Sequence, residues 1–273
     1  MAEDFKKLVA VVIPLSDREK FTPDEEISFR HVMHFLSKYD KYLVAPDGLA
    51  VERESFGIEY FNKRFFGSLQ AHTKLMLSPE FYERFNQYKY LLLYHLDSLV
   101  FSDELIQWCE KGYDFIGPPW IKFDGAPYSG ITEIENKVGN GGFSLRKIES
   151  FLKVIYSKKY SIEPSEYWQE TYASKEKYKQ IINLPKKLLK HVKVFNNARW
   201  EMSRCVYNED IFWTSRASHF YPEFNIAPLE IALRFAFECG PRICFEKTDQ
   251  TLPFGCHAWH KYDREFWEPH LLK

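Results

Sequence analysis

Asp97 ends a long apolar run, in YKYLLLYHLDSLVF (88–101). A carboxylate at the carboxyl end of a buried strand suits three tasks. It can shape a turn, hold a ribose hydroxyl, or ligate a hard divalent cation that also touches phosphate. Glu209 and Asp210 stand together in YNEDIFW (207–213), where a helix is expected to begin. Acids in a first turn complement the helix dipole, with Asn208 as the cap. If one faces a cleft instead, it can take the proton from an attacking hydroxyl. The two point in different directions on a helix, so a single one is expected to act. His257 and His260 lie three apart in LPFGCHAWHKYD (252–263). A neutral imidazole ligates divalent ions, but the helical zinc pair His-Glu-x-x-His is absent, and a structural histidine also fits these aromatic surroundings. Gly139, Gly141 and Gly142 crowd into KVGNGGFSLR (137–146). They allow a tight turn into a strand, or let a sugar lie against the main chain.

These residues need a frame. LVAVVIPL (8–15) reads as a strand buried on both faces, as in a parallel sheet. Thr22, Pro23 and Glu25 form a helix start with a capping box, and Ile27, Val32, Phe35 and Leu36 supply the apolar stripe. KYLVAP (41–46) is a second strand. Two short helices meet at Pro79, and Tyr90–Leu96 forms the next strand. A helix capped by Ser102 follows, then short strands at 113–117 and 141–146. Residues 227–238 read as helix or strand. The alternation of strand and helix predicts an α/β fold. It weakens after residue 150, where helical or irregular chain is broken at Pro164 and Pro185. A dinucleotide fold of the glycine-rich type is excluded, because IPLSDREKF after the first strand has no glycine. A Walker loop is absent as well.

Bulk properties narrow the class. A net charge of −1 gives no global field to select nucleic acid. Residues 151–200, however, carry eleven Lys and Arg against four Glu. That segment suits a membrane surface, an anionic acceptor or a solvated helical face. Aromatics reach 18% of the chain, more than a core needs, so some rings are candidates to line a sugar or base site. Five cysteines, without a Cys-x-x-Cys pair, fit a reduced, cytoplasmic protein better than a disulfide framework. The first residues lack a signal-peptide core. No apolar run nears the roughly 18 to 20 residues of a membrane span.

Taken in order, VVIPL, LVAPDGL, LLLYHLDSLVFSDEL, GYDFIGPPW, VGNGGFSLR, NEDIFW and FGCHAW resemble a family of bacterial and viral chains long carried as a domain of unknown function. Its members look like A-type nucleotide-sugar glycosyltransferases. The resemblance implies one GT-A-like, Rossmann-related domain over 1–273, with a central, mostly parallel sheet flanked by helices. Residues 1–100 would hold the nucleotide sugar; residues 101–273, including the basic segment, would hold a glycan or lipid-linked acceptor. Such enzymes keep an Asp-x-Asp motif at a strand end. Laid on that pattern, Asp97 takes the second acid and His95 stands where the first belongs. The resemblance further implies Mn²⁺ or Mg²⁺ on Asp97 and His257. Asp210, with Glu209 second, would be the base of an inverting transfer, and Asn140, Gly141 and Gly142 would flank donor sugar and acceptor. Ile13, Pro14 and Leu15 would meet the base or ribose, Lys74 the diphosphate, and Trp120 an acceptor sugar. The alternatives are a metal-dependent phosphoesterase and a non-catalytic nucleotide- or carbohydrate-binding module.

Overall fold

The computed structural model describes residues 6–16, 18, 20–128 and 135–272. Its elements are β1 (Lys7–Pro14), α1 (Pro23–Phe35), β2 (Asp40–Pro46), β3 (Gly57–Phe61), α2 (Leu69–Met76), α3 (Pro79–Arg84) and β4 (Tyr88–Tyr94). Next come β5 (Leu99–Val100), α4 (Leu105–Glu110), β6 (Phe115–Ile116), β7 (Phe143–Lys147) and α5 (Ile148–Ile155). Four short helices, α6 to α9, cover Pro164–Thr171, Lys177–Ile182, Leu184–Lys190 and Ala198–Ser203. The chain ends through α10 (Glu209–Phe220), α11 (Leu229–Phe235), β8 (Ala236–Phe237), α12 (Pro241–Lys247), β9 (Gly255–Cys256) and α13 (Arg264–Trp267).

The main sheet has the order β3-β2-β1-β4-β7-β6. β3, β2, β1 and β4 are parallel, and β7 runs antiparallel to both β4 and β6. The fold is therefore α/β, with a central, mostly parallel sheet flanked by helices. Period-two alternation sends β1 side chains to two separate cores. Ala10 and Val12 meet α3, α5 and α10 on one face, while Val11 and Ile13 meet α1 and α4 on the other. β4 divides in the same way, with Leu91 and Leu93 opposed to Leu92 and Tyr94. A strand covered on both faces must be apolar throughout, which is why 8–15 and 90–94 were legible. The second sheet, β5-β9-β8, is small and packs around Trp259 and Trp267.

Several local expectations need correction. β3 was missed: GIEYF is short, lies at the sheet edge, and buries only Phe61. β4 stops at Tyr94, two residues before Leu96. The helix expected at Ser102 starts at Leu105, and Glu104 at its N-cap makes no side-chain bond. Residues 227–238 are both helix and strand, since α11 runs directly into β8. Helical chain is interrupted at Pro164 and Pro185 as expected, and each proline opens the helix that follows, α6 and α8. Thr22 and Glu25 do form the capping box. Among the described residues, no helix is long and apolar enough to cross a membrane.

Candidate active site

Strand direction brings the chemistry together. β4 ends at Tyr94, and its antiparallel neighbour β7 begins at Phe143 directly opposite. The reversal puts the glycine segment 139–142 beside His95 and Asp97. The His95 N–H donates to the Gly142 carbonyl at 2.8 Å, closing the corner. Hydroxyls of Ser28 and Tyr94 both donate to the Ser98 carbonyl and hold the turn that carries Asp97. β8 and β9 are parallel, with Phe237 beside Cys256, so the residues after them, Glu238 and His257, emerge as neighbours. α10 begins at Glu209 and delivers its two acids to the same place.

One ligand atom from each of His95, Asp97 and His257 lies within 4.8 Å of the others. His257 Nε2 lies 3.3 Å from Asp97 Oδ1 as an ion pair, while its Nδ1 bonds Glu238 Oε1 at 3.0 Å. Asn140 Nδ2 donates to that same Glu238 oxygen at 2.7 Å, and Asn140 Oδ1 accepts from the Gly142 N–H. His95 Nε2, Asp97 Oδ1 and the Nε2 of nearby His72 are buried without partners. The His72 and His95 ring centres are 4.8 Å apart. Buried polar atoms are normally satisfied. Asp114, another buried acid close to a strand, accepts from Ser150 and from the Asn225 N–H and pairs with Lys147. Among the described residues, Asp97 has the His257 ring as its one charged neighbour within ion-pair distance, and its buried Oδ1 accepts no well-formed hydrogen bond. Two imidazoles and a carboxylate with free, converging atoms fit a divalent cation, and Glu238 would orient the His257 ring as an outer partner.

Electrostatics agree with this geometry. Burial pushes the His95 and His72 rings down, His95 strongly, so both are neutral, as a ligand must be. Burial acts against charge on Asp97, but the His257 ring outweighs it and holds the carboxyl well below its usual range. Burial likewise opposes charge on His257, yet Asp97 and Glu238 carry that ring well above its ordinary value. Positive charge is therefore favoured at this point of the cleft.

The two acids of α10 have separate environments. Glu209 is buried and pairs with the fully buried Arg146 at 3.2 Å. Arg146 also donates to Tyr82 Oη, Ser144 Oγ and the Gly141 carbonyl. Glu209 thus neutralises an internal cation, and Asp210 is the acid of α10 without an ion-pair partner among the described residues. Asp210 accepts from the Ile211 N–H. Burial, with Glu209 next to it, raises its carboxyl to about 8. Neither acid is a solvated dipole partner, and Asn208 makes no side-chain cap bond.

The glycines serve close approach, but to protein and not to a sugar alone. A Cβ on Gly142 would collide with the His257 ring, one on Gly141 with the Glu209 carboxylate, and one on Gly139 with Thr214 Oγ1. None of the three has positive φ; the chain nonetheless bends at Gly141 and Gly142 as it enters β7, with the Gly142 N–H donating to Asn140 Oδ1.

Two cavities meet at the cluster. The larger, about 780 Å³, includes Pro14, Leu15, Arg18, Ser68 and His260. The smaller, about 480 Å³, includes Trp120, Asn140, Gly141, Asp210 and Glu238. Leu69, His72, His95 and Asp97 line both. Ile13 is sealed in the core, and Lys74 lines a different cavity with Arg64 and Arg199. Neither stands at the cleft. Trp120 is buried yet borders the smaller cavity. His260 is exposed and outside the ligand cluster, so the paired histidines are split. Sequence reasoning missed Glu238, His72 and Arg146. Glu238 follows the short apolar stretch FAF (235–237), a weaker form of the signal that marked Asp97. His72 and Arg146 carry no sequence signal.

Residues 55–257 match the family model described as "Protein of unknown function (DUF5672)". The chain belongs to this family. No curated protein matches the chain. Among solved structures, an active-site mutant of LgtC is similar at 11% identity, over 97% of this chain and 96% of that one, with a TM-score of 0.47. Galactosyltransferase LgtC in complex with donor and acceptor sugar analogs gives 11% identity, 96% and 94% coverage, and 0.46. The apo-form glycosyltransferase GlyE of Streptococcus pneumoniae TIGR4 gives 12% identity, 97% and 60% coverage, and 0.42. Superpositions this loose assign no residue of the cleft in this family member.

Two outcomes follow from the geometry. Gly142→Ala has no room beside His257 and is expected to lose about 1–3 kcal/mol, read from the denaturant midpoint. Asp210 keeps its proton longer in the folded than in the unfolded chain. It therefore subtracts stability progressively from about pH 4 to about pH 8 and by a constant amount above that. Asp210→Asn removes this term, so its thermal midpoint relative to wild type should climb across that window; a pH-independent difference would refute the assignment.

Proposed function

We propose that the chain is a nucleotide-sugar-dependent glycosyltransferase that moves a sugar onto a hydroxyl of a glycan or lipid-linked acceptor. The observation that carries this reading is the convergence of ligand atoms from His95, Asp97 and His257, those of His95 and Asp97 without hydrogen-bond partners, at the junction of two cavities beyond the carboxyl end of β4. A donor with a charged diphosphate and a separate acceptor call for two chambers with positive charge between them. The larger cavity would take the nucleotide sugar, with Pro14 and Leu15 against its base or ribose. The smaller would take the acceptor, with Trp120 on its wall.

His95, Asp97 and His257 would hold Mn²⁺ or Mg²⁺, and a bound cation would neutralise charge on the leaving diphosphate. The nitrogen-rich donor set favours Mn²⁺, because Mg²⁺ prefers oxygen ligands and keeps its waters. On this reading His95 serves as a ligand in place of the missing acid. Asn140 and Glu238 orient His257, and Glu209 balances Arg146. Asp210, which among the described acids of the smaller cavity lacks an ion-pair partner, takes the proton of the acceptor hydroxyl as it attacks the anomeric carbon and the diphosphate departs. A single displacement assisted by this base would invert that carbon. A metal-dependent phosphoesterase would be expected to gather more ligands, often for two metals; among the described residues only this one cluster of three is found.

A thermal-shift screen of nucleoside diphosphates and their sugars, with Mn²⁺ or Mg²⁺, tests binding. A larger shift with Mn²⁺ is expected, and its loss in His95→Ala and Asp97→Ala. A flat response across the panel would sink the proposal. For the ligand that responds, sugar transfer in Asp210→Asn should fall by roughly 10²–10⁴-fold while the thermal shift persists. The base must be ionised to act. Wild-type transfer is therefore expected to rise with pH and level off above about 8, as followed by product formation in buffered series. An unchanged rate in the Asn variant removes Asp210 from the mechanism. Tight nucleotide binding without transfer to any acceptor would favour the binding-module alternative.

A further inference from the structure

We infer that α7, α8 and the segment to Phe195 form a docking surface for an anionic lipid bilayer. Neither helix buries a single residue. Ile181, Ile182, Leu188 and Val194 are 64%, 70%, 69% and 60% exposed. A solvated helical face would show polar side chains outward, and this one shows large aliphatic ones. Residues 175–193 also carry seven lysines and one acid, Glu176. Among the described residues only Lys179 has an ion-pair partner in that stretch, Glu176. Exposed aliphatics set among lysines are the composition of a helix that lies in a membrane interface.

The lysines are also arranged for that task. Lys187 lies over Trp168 at 4.9 Å, and Lys190 over Trp200 at 4.0 Å. These two ammonium groups rest on aromatic faces, while Lys177, Lys179, Lys186 and Lys193 are exposed and open to headgroups. The platform is tied to the body of the protein. Fully buried Asn196 donates to the Ile162 and Lys190 carbonyls, and Arg216 pairs with Glu201 while donating to the Ser161 carbonyl.

Charge complementarity decides the occupant. Residues 151–200 carry a net +7 and the whole chain −1, so the remainder is about −8. An anionic surface would attract this patch and repel the rest, which fixes the docking orientation. A second copy seated symmetrically on the same patch would set lysines against lysines. The inference does not depend on sugar transfer in the cleft.

Co-sedimentation of the full chain with vesicles tests it. One set is phosphatidylcholine alone; the other contains about one-third phosphatidylglycerol, to supply a negative surface. Binding to the anionic vesicles should exceed binding to the neutral ones by at least about tenfold, and fall by a similar factor from low to high salt. Lys186→Glu with Lys187→Glu, and separately Ile182→Ser with Leu188→Ser, should each weaken binding about tenfold or more while leaving the thermal midpoint unchanged. Equal binding to both vesicle types, or none to either, overturns the inference. So does a dimer in size-exclusion chromatography that the Ser variant converts to monomer, since that would make the patch a contact between copies.

Discussion

The cleft depends on close main-chain contact at Gly142. Its carbonyl accepts the His95 N–H, and the His257 ring sits where a side chain on residue 142 would be. That one position joins the end of β4, the start of β7 and the loop after β9, three segments far apart in the chain. A methyl group there would force them apart. The antiparallel placement of β7 makes the contact possible, because a parallel strand would have brought its other end to this corner.

Charge imposes the second constraint. Asp97, Glu209, Asp210 and Glu238 all approach the same cavity. Four carboxylates cannot remain ionised together in a partly dry space without compensation. The fold answers each differently. Arg146 neutralises Glu209, the His257 ring compensates Asp97 and Glu238, and Asp210 holds its proton up to about pH 8. The unpartnered atoms of His72, His95 and Asp97 are where compensation is incomplete. Three buried indole N–H groups, of Trp213, Trp259 and Trp267, also lack partners, but the atoms of His95 and Asp97 converge with His257 on one cavity, and fully bonded Asp114 shows what a structural acid looks like in the same protein.

Much of the fold was legible because the physics acted locally. β1, β2 and β4 are apolar on both faces since helices cover both sides, and Thr22 and Glu25 announce a helix start through bonds three residues apart. β3 was missed because an edge strand needs few buried residues. α4 was placed too early because a serine before a helix does not oblige the helix to use it. In the cleft, Asp97, Asp210 and His257 were singled out from residue type and setting. Glu238 had the same kind of setting as Asp97 and was overlooked, while His72 meets His95 and Arg146 meets Glu209 and Tyr82 across 20 or more residues of chain.

The sequence by itself determined that the chain alternates strand and helix, that an acid ends an apolar strand at residue 97, that acids open a helix at 209 and 210, and that the glycines of 139–142 leave the main chain open to approach. Those are properties of composition and short-range spacing. Tertiary structure alone decided what approaches the glycines, which of two adjacent acids is tied to an arginine, and which of two histidines turns inward. It also decided that lysines and aliphatics in residues 175–195 share an uncovered surface. Such outcomes depend on strand direction, on pairing across the sheet and on burial, and none of these is carried by any one segment.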